Sequence, residues 1–214
     1  MEPSSGDGTV ISPGNKSAVK KRIGDHGGII LAAIVGALVL KTFVIGAIRV
    51  PSESMETTLL PGDCVLINKL AYGAGWLPAL RTVQRGDVIV FRFPDDSADP
   101  VYFVKRCVAL GGDMIEIREG RCLVNDKPVP YGSSGNGRRD TQFGPIKVPS
   151  HYLFVLGDNP NKSYDSREWG FLPLEDVVGS AMMIYWSLPD RAASENLIAR
   201  VVSMRWNRLG TIVR

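Results

Sequence analysis

Two serines, Ser52 and Ser54, stand in the string Pro51-Ser52-Glu53-Ser54-Met55, and a lysine, Lys105, lies inside the apolar run Tyr102-Phe103-Val104-Lys105-Arg106-Cys107. A serine hydroxyl becomes a useful nucleophile only when a neighbouring base takes its proton. Histidine is the usual base, and the chain has two. His26 precedes a long apolar segment. His151 opens the strand-like run His151-Tyr152-Leu153-Phe154-Val155-Leu156, where a structural role is the commoner reading. A Ser-His-Asp triad would have to use His151, so serine chemistry here calls for a different base. Lys105 has the right surroundings for one. Side chains alternate along a strand, so Lys105 shares a face with Val101, Phe103, Cys107 and Ala109, all apolar, while Arg106 points the other way. Taken alone, the window also fits a solvated edge lysine. If the face is buried, desolvation lowers the lysine pKa from about 10.4 by up to a few pH units and yields a neutral amine that accepts a proton.

A positioned base needs support around it. The polar stretch Gly157-Asp158-Asn159-Pro160-Asn161-Lys162-Ser163-Tyr164-Asp165-Ser166-Arg167-Glu168-Trp169-Gly170 supplies candidates. Ser163 is suited to hold the lysine amine by a hydrogen bond, and Asp165 and Arg167 to form a buttress with Arg106.

The elements that must carry these residues read as strands divided by turn signals. Strand candidates are Cys64 to Lys69, Val88 to Phe93, Val101 to Leu110, Met114 to Arg118, Arg121 to Val124, Tyr152 to Leu156 and Val177 to Trp186; no stretch after Arg49 has convincing helical period. Arg85-Gly86-Asp87 is a turn feeding the second of them. Glu119-Gly120 suits a tight hairpin turn and Asn125-Asp126 the next reversal, so these neighbours are expected to be antiparallel. Tyr131 to Pro145 reads as a surface loop. The fold class is mostly β, an antiparallel catalytic domain.

Composition bounds the rest. The chain has 214 residues and 44% hydrophobic content, enough for one ordinary domain with appendages. Its 25 basic against 22 acidic residues leave a net charge of +3, too small and too evenly spread for a nucleic-acid partner. The three cysteines, Cys64, Cys107 and Cys122, lack zinc-site spacing and no metal is expected; a Cys107–Cys122 disulfide stays open. Between Gly27 and Ile48 the only charge is Lys41, and a helix of that length spans about 33 Å, roughly one bilayer core. Lys16, Lys20, Lys21 and Arg22 precede it and only Arg49 follows closely, which puts the N-terminus in the cytoplasm. A cleavable signal peptide is the alternative, since Gly46 and Ala47 are small. A buried core helix would show a polar face, and Ile29 to Leu40 shows none. The expected layout is a cytoplasmic tail over 1–26, a transmembrane helix over 27–48 and an extracytoplasmic β domain over 49–214, at the plasma membrane in a single pass.

Taken in order, the serine string, the turn Arg85-Gly86-Asp87, the lysine strand and the Gly157–Gly170 stretch resemble the sequence boxes of the type I signal peptidases, across nearly all of residues 30 to 186. The resemblance implies a membrane-bound serine endopeptidase that removes signal peptides from secretory preproteins, cutting after small residues of Ala-x-Ala type and using no cofactor. By the same resemblance Ser54 is the nucleophile and Lys105 the general base. Ser52 joins the Ser54 backbone N–H as the oxyanion hole, and Ser163 orients the lysine. Asp165 and Arg167 become structural, and Val50, Met55, Leu59 and Phe103 line the substrate pockets. The chain departs from the family pattern at Thr57, at Gly111 and at Pro160-Asn161-Lys162. Arg205-Trp206-Asn207-Arg208-Leu209-Gly210 also looks family-like, although the end of a surface strand explains it equally well. Two rival classes are a self-cleaving repressor with a Ser/Lys dyad, which would need a DNA-binding module, and a non-enzymatic anchored β domain.

Overall fold

The computed structural model describes residues 16–39, 41, 44–73, 78–93, 100–129, 142–189 and 196–214. Its contacts divide the chain into two units, Met1–Leu40 and Lys41–Arg214. In the first unit, helix α1 covers Lys16–Val39. The helix expected over 27–48 is therefore revised at both ends. Its start moves back because Lys, Ala and Arg favour helix and extend it into the basic stretch. Its end moves because Ile45–Arg49 is strand β1, paired along its length with β2, Asp63–Asn68, from Ile45 opposite Asn68 to Arg49 opposite Cys64. Gly46 and Ala47 are thus strand residues. Among the described residues no helix is long and apolar enough to cross a membrane. Of the expected tail over 1–26, residues 1–15 lie outside the described residues.

The second unit is β-rich. After β2 come β3 (Val88–Arg92), β4 (Tyr102–Leu110), β5 (Met114–Arg118), β6 (Arg121–Val124), β7 (Lys127–Pro128), β8 (Phe143–Lys147), β9 (Tyr152–Leu156), β10 (Leu172–Pro173) and β11 (Val177–Ser187). A seven-stranded sheet has the order β1-β2-β11-β3-β4-β9-β10, and a four-stranded sheet has the order β7-β6-β5-β8. Every pairing is antiparallel. The two hairpin turns fall where the sequence put them. Glu119 and Gly120 have φ of 50° and 75°, and Asn125 and Asp126 have 51° and 62°, the positive pairs that a two-residue turn between twisted strands requires. Of the loop expected over 131–145, residues 131–141 lie outside the described residues, and from Phe143 the chain is β8, paired with β5.

Two short helices, α2 (Ser166–Trp169) and α3 (Leu197–Ser203), interrupt the strands. α2 starts on a capping box in which Asp165 and Glu168 each satisfy a backbone N–H of the other's end. That spacing is legible in the sequence, but the helix is too short to show a period.

The core has three parts. One lies under β1, β2 and the loop between them, with Met55, Leu59, Val65 and Ile184 fully buried. A second, around Ile115, Ile117 and Phe154, joins the small sheet to β9. The third, around Ile89, Phe91, Cys107 and Val155, is covered partly by Phe103 and Trp169. Cys107 and Cys122 pack in different parts, and all three cysteines are free, which closes the question of a disulfide. Burial pushes both thiols up to about 12.

Candidate active site

The serine string forms the loop that joins β1 to β2. Two backbone bonds close its base, Val50 N–H to Asp63 O at 2.8 Å and Gly62 N–H to Val50 O at 2.9 Å. Gly62 sits there at φ 88°, and a Cβ would lie 2.0 Å from the Leu188 carbonyl oxygen, so no other residue fits without moving the loop. Within the loop Glu53–Met55 makes a 3-10 turn. Met55 and Leu59 turn inward, joined by Leu59 N–H to Met55 O at 2.8 Å. Ser54 is 4% exposed, and its hydroxyl lies 3.1 Å from that of Ser52.

Lys105 comes from the middle of β4, opposite Ile89 on β3. Its side chain is as buried as Ser54, at 4% exposure, and its Nζ donates to Ser54 Oγ at 2.8 Å. The ammonium also lies 5.4 Å from the centre of the Phe103 ring. Burial lowers the Lys105 pKa from 10.5 to about 8; the Asp165 carboxylate opposes that shift and the Arg167 guanidinium favours it. The alternation expected along the strand holds through Cys107. It breaks beyond, because a bulge between Cys107 and Ala109 moves Ala109 into the Phe154 part of the core.

β9 runs beside β4 with Leu156 opposite Arg106, so the chain leaving β9 passes close to Ser54 and Lys105. Gly157 is the point of closest approach. A Cβ there would meet Ser163 Oγ at 2.2 Å and the Ser54 carbonyl at 2.5 Å. Asn159 N–H bonds the same Ser54 carbonyl at 2.9 Å. Asp165 is fully buried; its carboxylate accepts Gly157 N–H at 3.0 Å and Arg167 Nε at 2.7 Å. Ser163 is buried beside Gly157, yet its hydroxyl has no hydrogen-bond partner among the described residues.

Three expectations need restating. Arg106 does not join Asp165 and Arg167; it forks onto Asp158 at 2.7 and 2.6 Å and reaches Gly86 O at 2.7 Å. The reason is the pleat, which sends Arg106 to the face opposite Lys105, so the buttress is two separate Asp–Arg pairs. Leu59 is not on the cleft but in the core beneath Met55, one helical turn further along the same loop. His151 sits in an exposed turn ahead of β9 at φ 66°. Val50, Met55 and Phe103 do line a cleft of about 260 Å³ at Ser54 and Lys105, and Tyr102, Lys162 and Tyr164 line it with them. Sequence reasoning missed these last three, as well as the Glu53–Lys162 ion pair that ties the serine turn to the Ser163 loop. Alternation marks Tyr102 as a surface residue, and nothing in the local pattern brings the two loops together. A larger cavity of about 520 Å³ lies on the Arg106 side, lined by Arg85, Asp158 and Arg214 without Ser54 or Lys105. Among the described residues no group of three His, Cys, Asp or Glu side chains is placed to hold a metal ion.

A buried amine poised near neutrality against a buried serine, on the edge of a cleft, suits proton abstraction from the serine and acyl transfer. Comparisons with known proteins place the chain in a family. The sequence model of the family "Signal peptidase, peptidase S26" matches residues 23–186. A probable signal peptidase I-2 of Synechocystis sp. is 36% identical over 163 residues, covering 74% of this chain and 71% of that one. The signal peptidase I of Leptolyngbya laminosa is 36% identical over 160 residues, 72% and 75% of the two chains. That of Pseudomonas fluorescens is 30% identical over 229 residues, 86% and 78%.

Proposed function

The chain belongs to the signal peptidase family of peptidase S26, and from that premise we propose that it cleaves its preproteins with a Ser/Lys dyad of Ser54 and Lys105. Membership makes it a signal peptidase I serine endopeptidase that removes signal peptides. The dyad is the finer claim, and one observation carries it: the 2.8 Å contact between two side chains that are both buried at a cleft.

In the protonated state Lys105 donates to Ser54. Once neutral, the amine accepts the Ser54 O–H instead, and the proton moves to nitrogen as the serine oxygen attacks the scissile carbonyl. The carbonyl oxygen gains charge and is held by the Ser52 hydroxyl and the Ser54 backbone N–H, each worth about 3 to 4 kcal/mol in comparable sites. The same lysine then protonates the leaving amine. Water, deprotonated by Lys105, releases the acyl group and restores Ser54. Ser163 serves as the acceptor or donor that fixes the amine between these steps. Its support is the buried hydroxyl without a partner, a state that costs about 1 to 3 kcal/mol unless a group engages it.

A preference for small side chains of Ala-x-Ala type is supported by the apolar lining that Val50, Met55 and Phe103 give the cleft. Attachment to a bilayer rests on the apolar segment that precedes β1. Ile29, Ile30, Leu31, Ile34, Val35 and Leu38 of α1 are each at least half exposed, and the stretch from Gly27 to Val39 carries no polar side chain. A helical stretch apolar on every side is suited to lipid, and the basic residues ahead of it favour a cytoplasmic N-terminus. An active-site titration with a serine-acylating probe tests the dyad: one equivalent of label on the wild type and none on a folded Ser54→Ala protein is expected, and equal labelling of both removes Ser54 from the mechanism.

A further inference from the structure

The segment Arg205–Gly210 has no part in the dyad, yet its side chains converge on the serine loop. It lies along β11, with Arg205 N–H on Ser187 O at 3.0 Å and Gly210 N–H on Ile184 O at 2.8 Å. From there Arg208 reaches Asp63 at the base of the loop. Its Nη2 lies 2.6 Å from Asp63 Oδ2 and its Nε 3.1 Å from the same oxygen. Asp63 is fully buried, and it also accepts the Ser187 hydroxyl at 2.6 Å and the Leu60 N–H at 2.8 Å.

The guanidinium does one thing more. Nη2 donates to the Thr58 carbonyl at 2.9 Å, so a single planar group bridges the base of the loop to its middle. Thr58 is held from its other end as well, since its hydroxyl donates to Asp158 and accepts from Arg106 at 3.3 Å. It thus lies between two arginines, one turn beyond Ser54. The link back to the nucleophile is short, through the Leu59 N–H to Met55 O bond that closes the intervening turn.

We propose that Arg208 is a positioning residue for the nucleophile, acting through Thr58 and Asp63 to fix the height of Ser54 above Lys105. This rests on the reading of Ser54 and Lys105 as the dyad. Fork geometry is essential to the role, because a lysine at 208 keeps the charge beside Asp63 but lacks the rigid plane in which Nε and Nη2 both grip Asp63 while Nη2 also holds the Thr58 carbonyl. Misplacing a reacting group by about 1 Å can cost about 100-fold in rate. Arg205 is the matched control: it reaches Pro61 O at 3.0 Å and lies 3.7 Å from Asp63, but makes no bond to Thr58.

The experiment measures kcat and KM of the full chain in detergent, on a preprotein with a cleavable signal peptide. It compares wild type, Arg208→Lys, Arg208→Gln, Arg205→Lys and Ser54→Ala, each checked by circular dichroism at the assay temperature. Both Arg208 variants are expected to lose about 10- to 100-fold in kcat with KM within twofold and with the pH midpoint of the wild type, because the surroundings of Lys105 do not change. Arg205→Lys should stay within twofold of wild type. Wild-type kcat in a folded Arg208→Lys protein overturns the proposal, as does an equal loss in Arg205→Lys, a shift of the pH midpoint, or failure of both Arg208 variants to fold even in the cold. Activity in Ser54→Ala would instead overturn the dyad itself, which keeps the two failures apart.

Discussion

Replacing Lys105 by arginine separates proton abstraction from charge. With a pKa of about 8 the wild-type amine is neutral in about a tenth of molecules at pH 7 and about nine-tenths at pH 9. Single-turnover cleavage should therefore rise about tenfold over that interval and then level off. A lysine left at its ordinary 10.5 would give about a hundredfold rise and no plateau before pH 10. Arginine keeps the positive charge but does not deprotonate below pH 12, so Lys105→Arg should be as inactive as Lys105→Ala at every pH. The assay is quenched-flow cleavage of a preprotein from pH 6 to 10, with folding checked at each point. Activity above about 1% of wild type in a folded Lys105→Arg protein would refute the base assignment. So would a wild-type profile that climbs without a plateau.

The same shift sets a stability signature. The folded-state pKa is depressed, so between about 8 and 10.5 the unfolded chain binds a proton that the folded chain has released, and stability rises with pH across that window. Below pH 8 the cost of burying the ammonium is fully present, about 3 kcal/mol for a drop from 10.5 to about 8. Lys105→Met should then be more stable than wild type at pH 7 by up to that amount, with the gain fading toward pH 10.5, as followed by urea unfolding at several pH values.

Ser52→Ala should lower kcat by about 100-fold while KM holds, as loss of one of two oxyanion donors would, whereas Ser54→Ala should abolish turnover; steady-state kinetics distinguishes them. Leu59→Ala should cost about 2 to 5 kcal/mol in urea unfolding, with no change in preference between small and large residues at the cleavage site, because Leu59 is in the core and not on the cleft. Gly157→Ala should lower both acylation and stability, since the added Cβ would sit 2.5 Å from the Ser54 carbonyl and 2.2 Å from Ser163 Oγ; pre-steady-state acylation beside thermal melting checks it. Arg167→Gln removes the cation that helps lower the Lys105 pKa and leaves Asp165 opposed only by burial, so the pH–rate midpoint should move upward.

How legible all this was in the sequence depended on the range of the signal. The strands from Met114 to Val124 and Tyr152 to Leu156 fell at their expected residues because alternation and turn chemistry are local. β1 was not legible, since Ile45-Gly46-Ala47-Ile48-Arg49 continues an apolar run and becomes a strand only when β2 is there to pair with it. β7 and β10 span two residues each, too short to show a period. In the site, Ser54 and Lys105 could be picked by type and spacing and by the face that Lys105 shares with Phe103 and Cys107. The partners of Arg106 could not, because Asp158 and Asp165 are equally near it in sequence terms and only the pleat and the course of the loop after β9 choose between them. Tyr164 and Lys162 join the cleft for the same reason, through a loop path that no local rule encodes.

The choice of partner matters for the chemistry. A buried lysine stays basic enough to be useful only if the charges near it nearly cancel, since a lone carboxylate would keep it protonated and a lone arginine would push its pKa too low to hold the serine proton. Asp165 faces Arg167 at 2.7 Å, so the wall behind Ser54 and Lys105 is built with strong, directed bonds, and the guanidinium offsets part of the upward pull of Asp165, Asp158 and Glu168 on the Lys105 pKa. Had Arg106 been drawn into that wall, a second guanidinium would stand behind Lys105 and Asp158 would be left buried without its counter-charge. Placing the Arg106–Asp158 pair on the opposite face of β4 braces Thr58 and the serine loop from outside, with its charge already compensated. Burial then dominates the Lys105 pKa, and the strand that carries Lys105 also carries, one residue on, Arg106, which braces Thr58 in the serine loop.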